Sequence, residues 1–131
     1  MYRWAEHTSE LELRIEAPTE EAVFADALAA FAELAGDGDG PASERREIRL
    51  EADDRGLLLA DWLNELVYLA DSDRFVPAGL SELELEGGRL RATVRGRRGE
   101  PRPLVKAVTL HGLEYGHEPG AGWQARLVLD V

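Results

Sequence analysis

The alternation of hydrophobic and polar residues predicts six or seven strands along the chain. Residues 10–15 alternate strictly, as expected for a strand with one buried face. The same alternation recurs at 47–51, on either side of Gly87-Gly88, and in 104–115 and 123–131. Adjacent glycines supply the positive φ angles of a tight turn, so residues 80–96 are predicted to form a hairpin, preceded by a loop through Pro77.

Two other segments repeat their hydrophobic residues at the helical period. The first is residues 19–35, where Thr19 is placed to cap the helix and Gly36 to end it. The second, residues 54–70, is hydrophobic around most of its circumference, which predicts a largely buried helix. Its one polar stripe is either a solvated edge or a surface that faces a polar site or a partner: Asp61, Asn64, Glu65 and Tyr68.

The order of these elements predicts the fold class. The strands are not separated by regular helical crossovers, which favours an α+β fold with mainly antiparallel sheet and two helices over a doubly wound parallel fold. The chain has 131 residues, of which 44% are hydrophobic and 31% charged. These values suit a folded, soluble protein with a single domain over residues 1–131.

Composition and charge narrow the range of functions. A formal net charge of -11 opposes stable direct binding to nucleic acid and suits a cation or a basic protein partner. The chain has no cysteine, which excludes thiolate nucleophiles and thiolate metal sites. No hydrophobic run approaches the roughly 20 residues that span a bilayer, and the first residues lack an export signal. We therefore expect a cytoplasmic protein with no membrane partner.

The segment EHTSE, residues 6–10, is the first candidate site. Glu6 and Glu10 offer carboxylate oxygens, which suit Ca²⁺, Mg²⁺ or Mn²⁺, and His7 would extend the choice to Zn²⁺. The spacing of His7 and Glu10 would place them on one face of a helix, but a strand follows, so the spacing alone defines no site. The other interpretation is a polar turn whose acids point to water.

Two further candidates lie near the end of the chain. Asp130 stands beside Val131, whose main-chain carboxylate would concentrate negative charge that a cation or an arginine must neutralise. Lys106 is the only lysine and lies in an apolar strand, where it could bind a phosphate or a carboxylate. His111 lies on the opposite strand parity. A frayed terminus, an edge lysine and a packed histidine are the alternative interpretations.

Two charged segments are also open to interpretation. Residues 89–102 contain six arginines in an otherwise acidic chain, which indicates either a contact with RNA or an acidic partner, or a solvated strand face. Residues 35–41, AGDGDGP, alternate aspartate with glycine but lack the other oxygen ligands of a calcium-binding EF-hand. We interpret this segment as a loop after the first helix.

Four motifs, in order along nearly the whole chain, resemble the archease family. EHTSE at 6–10 resembles the opening D-H-T-A-D-like motif of the family, and LLLADWLNELVYL at 57–69 resembles one of its helices. VKAVTLH at 105–111 resembles a V-K-A-V-T motif that is followed by tyrosine or histidine. LVLDV at 127–131 resembles the final strand, with its aspartate next to last.

This resemblance implies an accessory protein rather than an enzyme. Archeases assist the RtcB-type RNA ligase, which joins 2′,3′-cyclic-phosphate or 3′-phosphate ends to 5′-hydroxyl ends in tRNA splicing and RNA repair. The archease promotes guanylylation of the ligase and allows multiple turnovers. An RtcB-type RNA ligase is therefore the partner that the resemblance implies.

The resemblance also implies a divalent-cation site, with calcium as the family's metal and Mg²⁺ or Mn²⁺ as alternatives. The implied metal ligands are Glu10, Asp130 and Val131, and the functional lysine is Lys106. The implied supporting residues are Glu6, His7 and His111. Both aspartates of the opening motif are glutamates here, so the carboxylate oxygens are kept on side chains one methylene longer. Leu110 stands at the family's tyrosine position.

Two other functions stay open at this point. A metal-dependent hydrolase would use His7, Glu10 and Asp130, and would show phosphatase or nuclease activity by itself. A general chaperone-like module for RNA-processing proteins would act on unrelated clients and would be indifferent to Glu10 and Lys106.

Overall fold

The fold consists of seven strands and two helices in the computed structural model, which describes residues 1–7, 10–36, 40–100 and 105–131, with the backbone alone at His7. The elements follow one another as β1 (Tyr2–His7), β2 (Glu10–Ala17), α1 (Glu20–Ala35), β3 (Glu44–Glu51), α2 (Arg55–Ser72), β4 (Phe75–Glu86), β5 (Arg89–Arg98), β6 (Ala107–Glu118) and β7 (Gly122–Asp130). All strand pairs are antiparallel within these ranges, which confirms the predicted α+β class.

The strands form two sheets. Sheet A has the order β1-β2-β7-β6, and sheet B has the order β3-β5-β4. Sheet A therefore joins strands from both ends of the chain, whereas sheet B is built from the middle of the chain. The predicted hairpin at Gly87-Gly88 is confirmed as the connection between β4 and β5, and Gly87 has a φ of 58°.

The structure differs from the sequence prediction in one additional strand and in the boundaries of other elements. Strand β1 was not predicted, because its alternation is short, although Tyr2 and Trp4 pack against the core. The predicted loop through Pro77 is wrong, since β4 already begins at Phe75. Proline is tolerated there because β4 is an edge strand with an irregular register near this residue. Helix α2 continues to Ser72 instead of ending near residue 70.

The two helices lie between the sheets and supply much of the core. Helix α1 packs against β2 and β4, and α2 packs against β6 and β4, so each helix contacts both sheets. The indole N–H of Trp62 donates to the carbonyl oxygen of Phe24 over 3.0 Å, which joins the helices by a buried hydrogen bond. Helix α2 is hydrophobic around most of its circumference, and it is buried on both sides by the two sheets, as predicted.

Side-chain caps fix where each helix begins. The hydroxyl of Thr19 accepts from the backbone N–H of Ala22 over 3.1 Å, as the sequence predicted. The carboxylate of Asp54 accepts from the backbone N–H of Leu57 over 3.3 Å.

Candidate functional site

The ends of four strands bring several predicted site residues into one row. In the register of sheet A, His7 faces Glu10, Glu10 faces Asp130, and Asp130 faces Ala107. The backbone N–H of Lys106 donates to the carbonyl oxygen of Asp130 over 2.8 Å. We call His7, Glu10, Asp130 and Ala107 the strand-end row. Its members come from both ends of the sequence because β2 pairs with β7.

Two carboxylates stand side by side in this row, and no positively charged side chain of the described residues pairs with them. Residues directly opposite each other in an antiparallel pair point to the same face, with Cβ atoms about 4.5–5.5 Å apart. Glu10 and Asp130 are such a pair, and both are half-buried. Neither carboxylate forms an ion pair or hydrogen bond with a side chain that the structure describes. Like charges placed this way repel each other unless a cation neutralises them.

Val131 and Lys106 border the row. Val131 packs against the hydrophobic core, which holds the end of β7 in place. Lys106 is exposed and lines a groove of about 400 Å³. The other residues of the groove are Asn64, Val67, Tyr68 and Asp71 of α2, and Val105. The implied functional lysine is therefore next to the polar stripe of α2.

Asn64 of that stripe anchors α2 to β6. Its side-chain oxygen accepts from the backbone N–H of Val108 over 2.9 Å, and its amide donates to the carbonyl oxygen of Val108 over 3.3 Å. Since β6 is an edge strand, its outward backbone groups have no neighbouring strand, and Asn64 satisfies those of Val108. Asp61 and Tyr68 of the same stripe are exposed. The stripe is thus structural at Asn64 and open to solvent elsewhere.

A buried carboxylate that the sequence analysis missed lies next to the strand-end row. Glu12 faces Val128 in the register of β2 and β7, and its exposed fraction is only 2%. Its oxygens accept from Nε of Arg14 over 2.5 Å and from Nε of Arg126 over 2.7 Å. The hydrogen bond from Arg14 is the main reason that the pKa of Glu12 is lowered, and Arg126 adds to it while burial acts in the opposite direction.

The guanidinium of Arg126 also holds an irregular part of β6. Its Nη1 donates to the carbonyl oxygen of Gly112 over 2.6 Å. Gly112 has a φ of 72°, and a Cβ atom there would overlap the Arg126 guanidinium, so glycine is required. The register of β6 shifts between Thr109 and Glu114 around this contact. The shifted segment contains His111, which is exposed.

The structure therefore joins some of the predicted site residues and separates others. The residues that come together are Glu10, Asp130, Val131 and Lys106. Glu6 faces Leu11, one pair further along, and so points to the other face of the sheet from Glu10. His111 lies in the shifted segment of β6, beyond the row. The backbone of His7 belongs to the row, and its side chain lies outside the described part of the structure.

Two exposed arginines of β5 lie beside acids on the neighbouring strands. Arg91 Nη2 lies 3.0 Å from a carboxylate oxygen of Glu84, and Arg89 Nε lies 3.9 Å from one of Glu51. These pairs favour the interpretation of residues 89–98 as a solvated strand face. The last two residues of the arginine-rich segment, Pro101 and Arg102, lie outside the described residues.

Some predictions can be compared only with the described part of the chain. Residues 37–39 of the loop at 35–41 lie outside it. Within the described residues, no group of three or more histidine, aspartate or glutamate side chains is placed to hold a metal ion. A third protein ligand beside Glu10 and Asp130 would be a main-chain oxygen or a side chain outside that set. Neither helix there has both the length and the apolar character needed to cross a membrane.

Comparison with known proteins places the chain in a family. The profile of the Archease protein family (MTH1598/TM1083) matches residues 2–131. The chain belongs to the archease family. An archease from Pyrobaculum neutrophilum is 31% identical, with 99% of this chain and 95% of the relative covered. An archease from Methanosarcina mazei is 33% identical, again with 99% of this chain and 95% of the relative covered. One from Pyrococcus abyssi is 32% identical, with 100% of both chains covered.

Solved archease structures share the fold. The solution structure of Methanobacterium thermoautotrophicum protein 1598 is 29% identical and superposes with a TM-score of 0.79, covering 99% of this chain and 98% of that one. A crystal structure from Thermotoga maritima, described as an archease and possible chaperone, has a TM-score of 0.72 at 23% identity. It covers 100% of this chain and 98% of that one. The two helices and seven antiparallel strands are therefore the archease fold.

Replacing Glu12 by glutamine should destabilise the fold. The change removes the charge that neutralises Arg14 and Arg126, so we expect a loss of about 1–3 kcal/mol in the free energy of unfolding. Urea denaturation at neutral pH measures this loss. Glu16→Gln is the matched control, because Glu16 lies on the same strand and face but is exposed, and we expect a change within about 0.5 kcal/mol. Equal losses in both variants would contradict this role of Glu12.

The stabilisation from Glu12 should also depend on pH. A carboxyl group whose pKa is lowered by folding stabilises the fold above its unfolded pKa, and this contribution disappears as the pH falls through the folded value. The stability difference between the wild type and Glu12→Gln should be full at neutral pH and shrink as the pH falls below the ordinary value of 4.5. A difference that does not change across that range in urea denaturation would show that the charge of Glu12 is unimportant.

Proposed function

We propose that this archease is a non-catalytic activator of an RtcB-type RNA ligase, promoting its guanylylation and repeated turnover in tRNA splicing and RNA repair. The observation that carries the proposal is the strand-end row. A chain that matches the archease family over residues 2–131 has Glu10 and Asp130 opposed, with Lys106 hydrogen-bonded beside them.

The donor atoms of the row fit a divalent cation. Glu10 and Asp130 present hard carboxylate oxygens on one face, which suit Ca²⁺, Mg²⁺ or Mn²⁺. The arginines of β2 and β7, Arg14 and Arg126, are already bound to Glu12, and the described residues offer this pair no other positive partner. Glu10, Asp130 and a main-chain oxygen of Val131 would hold the ion, with calcium as the family's metal. When bound, the ion supplies the missing positive charge.

Lys106 and the carboxylates have separate roles in this proposal. The carboxylates of Glu10 and Asp130 would hold the ion at the end of β7. Lys106 is exposed, and its ammonium can donate to a phosphate oxygen of GTP or to a carboxylate of the ligase. The ligase supplies the covalent chemistry, and the residues of this chain orient groups at its nucleotide site. A cytoplasmic location fits this role and stays a prediction, as does the absence of stable direct binding to nucleic acid.

Divalent cations should stabilise the protein through Glu10 and Asp130. A ligand that binds only the folded state at about 100 times its Kd adds about 2.7 kcal/mol to the free energy of unfolding. Thermal unfolding with Ca²⁺, Mn²⁺ or Mg²⁺ should therefore show a raised midpoint for the wild type and for Glu16→Gln. The increase should be lost in Glu10→Gln and in Asp130→Asn. A cation effect that survives both changes would contradict the metal site.

The ligase assay tests the partner and the site together. The purified cognate RtcB-type ligase is mixed with excess RNA ends, GTP and Mn²⁺, and the joined products per ligase are counted with and without a trace of this protein. We expect a change from single to repeated turnover. Glu10→Ala, Asp130→Ala and Lys106→Ala should each reduce it, whereas Glu82→Ala, an exposed acid on sheet B, should not.

The outcomes of that assay separate the parts of the proposal. If all three site variants stimulate the ligase as much as the wild type does, the proposed site is wrong but the ligase is still the partner. No stimulation by the wild type would contradict the ligase role itself. Phosphatase or nuclease activity of the protein without ligase would support the hydrolase alternative that uses His7, Glu10 and Asp130.

A chaperone-like role is the second candidate function. One observation favours it, since the Thermotoga maritima structure is described as a possible chaperone. This role predicts protection of unrelated clients from aggregation and indifference to changes at Glu10 and Lys106. The ligase assay and an aggregation assay on the same variants therefore distinguish the two candidates.

A further inference from the structure

A second surface, on α2 and the start of β6, carries exposed hydrophobic and acidic residues that do not belong to the strand-end row. Its helical residues recur three or four positions apart and so lie along one side of α2. We call it the α2–β6 surface. It consists of Leu57, Asp61, Glu65, Tyr68 and Asp71 on α2, with Lys106 and Leu110 on or beside β6.

The hydrophobic residues of this surface are exposed to solvent. The exposed fractions are 57% for Tyr68, 59% for Leu110 and 38% for Leu57. Together with Met1, they are the exposed large hydrophobic residues in the part of the chain that the structure describes. Exposed hydrophobic residues that concentrate on one face, with polar residues around them, mark an interaction site.

Leu110 belongs to this surface because β6 contacts α2 on both sides of it. Before Leu110, the Asn64 side chain binds the backbone of Val108. After it, Leu113 lies against the start of α2, with its Cδ2 3.6 Å from the position of a Cβ at Gly56. The segment between these contacts is the shifted part of β6, which carries Leu110 outwards.

The polar residues around this hydrophobic centre are mainly unpaired acids. The carboxylates of Asp61, Glu65 and Asp71 make no ion pair or side-chain hydrogen bond with any residue that the structure describes. Lys106 is the one basic residue of the surface. Apolar residues surrounded by unpaired carboxylates complement a protein surface with an apolar centre and basic residues around it.

The groove beside Lys106 provides a place for a basic side chain. Its volume is about 400 Å³, and Val67 and Val105 form its apolar part. Tyr68 and Asp71 also line it, and an aromatic ring next to a carboxylate suits an arginine or lysine side chain. Lys106 lines the same groove, and its backbone N–H is bound to the carbonyl oxygen of Asp130, so the groove lies beside the end of β7.

We propose that the α2–β6 surface is where the ligase docks, through an apolar patch with basic residues around it, while the strand-end row acts after docking. This inference rests on the proposed function. It assigns binding to α2 and β6, and activation to Glu10 and Asp130. A protein occupant is favoured over RNA because the unpaired carboxylates repel phosphates.

The experiment measures binding of the purified ligase rather than its stimulation. The variant Asp61→Lys/Asp71→Lys reverses two charges of the surface. Glu82→Lys/Glu86→Lys is its control, since it makes the same change in net charge at exposed, unpaired acids on sheet B. Tyr68→Ala removes the ring without changing the net charge. Isothermal titration calorimetry gives the Kd of each variant, and thermal unfolding shows that each is folded.

We expect the α2 charge reversal and Tyr68→Ala each to weaken ligase binding by about tenfold or more. The sheet B control and Glu10→Ala should bind as the wild type does. Unchanged binding in both α2 variants, with stimulation still lost in Glu10→Ala, would overturn the docking surface and keep the proposed function. Wild-type protein that neither binds nor stimulates the ligase would overturn both. Binding of RNA alone that is lost in Tyr68→Ala would replace the protein occupant with RNA.

Discussion

The antiparallel pairing of β2 with β7 is the constraint on which the rest of the structure depends. It extends from the pair Glu10–Asp130 to the pair Ala17–Trp123, and it joins the two ends of the chain in the middle of sheet A. A slip of one residue would turn the hydrophobic residues of β2 from the helices to the opposite face, at the cost of their burial. Hydrophobic burial therefore sets the register, and the register places two carboxylates opposite each other.

Glu10, Glu12 and Asp130 share one face of sheet A, but their charges are neutralised to different degrees. Glu12 is buried and is neutralised by two arginines, whereas Glu10 and Asp130 have no such partner among the described residues. Opposed like charges weaken a sheet, and proteins tolerate such violations mainly at functional sites. This contrast makes the strand-end row a candidate cation site.

Helix α2 connects the core with the α2–β6 surface and, through β6, with the strand-end row. Most of its circumference is buried between the sheets, so its orientation is set by packing on several sides. Asn64 then fixes β6 through two hydrogen bonds to Val108, two residues after Lys106. The exposed stripe and Lys106 are consequently held in a fixed relation. In the proposed function, this rigidity gives one partner a fixed surface made of the exposed stripe of α2 and Lys106.

Local patterns in the sequence determined the elements and the family. Helical spacing predicted both helices, with Thr19 as the cap of the first. Alternation predicted six of the strands, and four ordered motifs indicated an archease. Boundaries were less certain, because the ends of strands depend on pairing rather than on the strand's own residues. The edge strand β1 and the early start of β4 at Phe75 are examples.

Only the tertiary structure decided which distant residues meet. Alternation shows which residues share a face of one strand, but not what lies across from them. It therefore could not show that Glu12 is buried between arginines, that Arg89 and Arg91 face acids, or that Asn64 holds β6. Glu10 and Asp130 lie almost a full chain length apart in sequence, and the burial of the β2 and β7 hydrophobic faces against the helices brings them together.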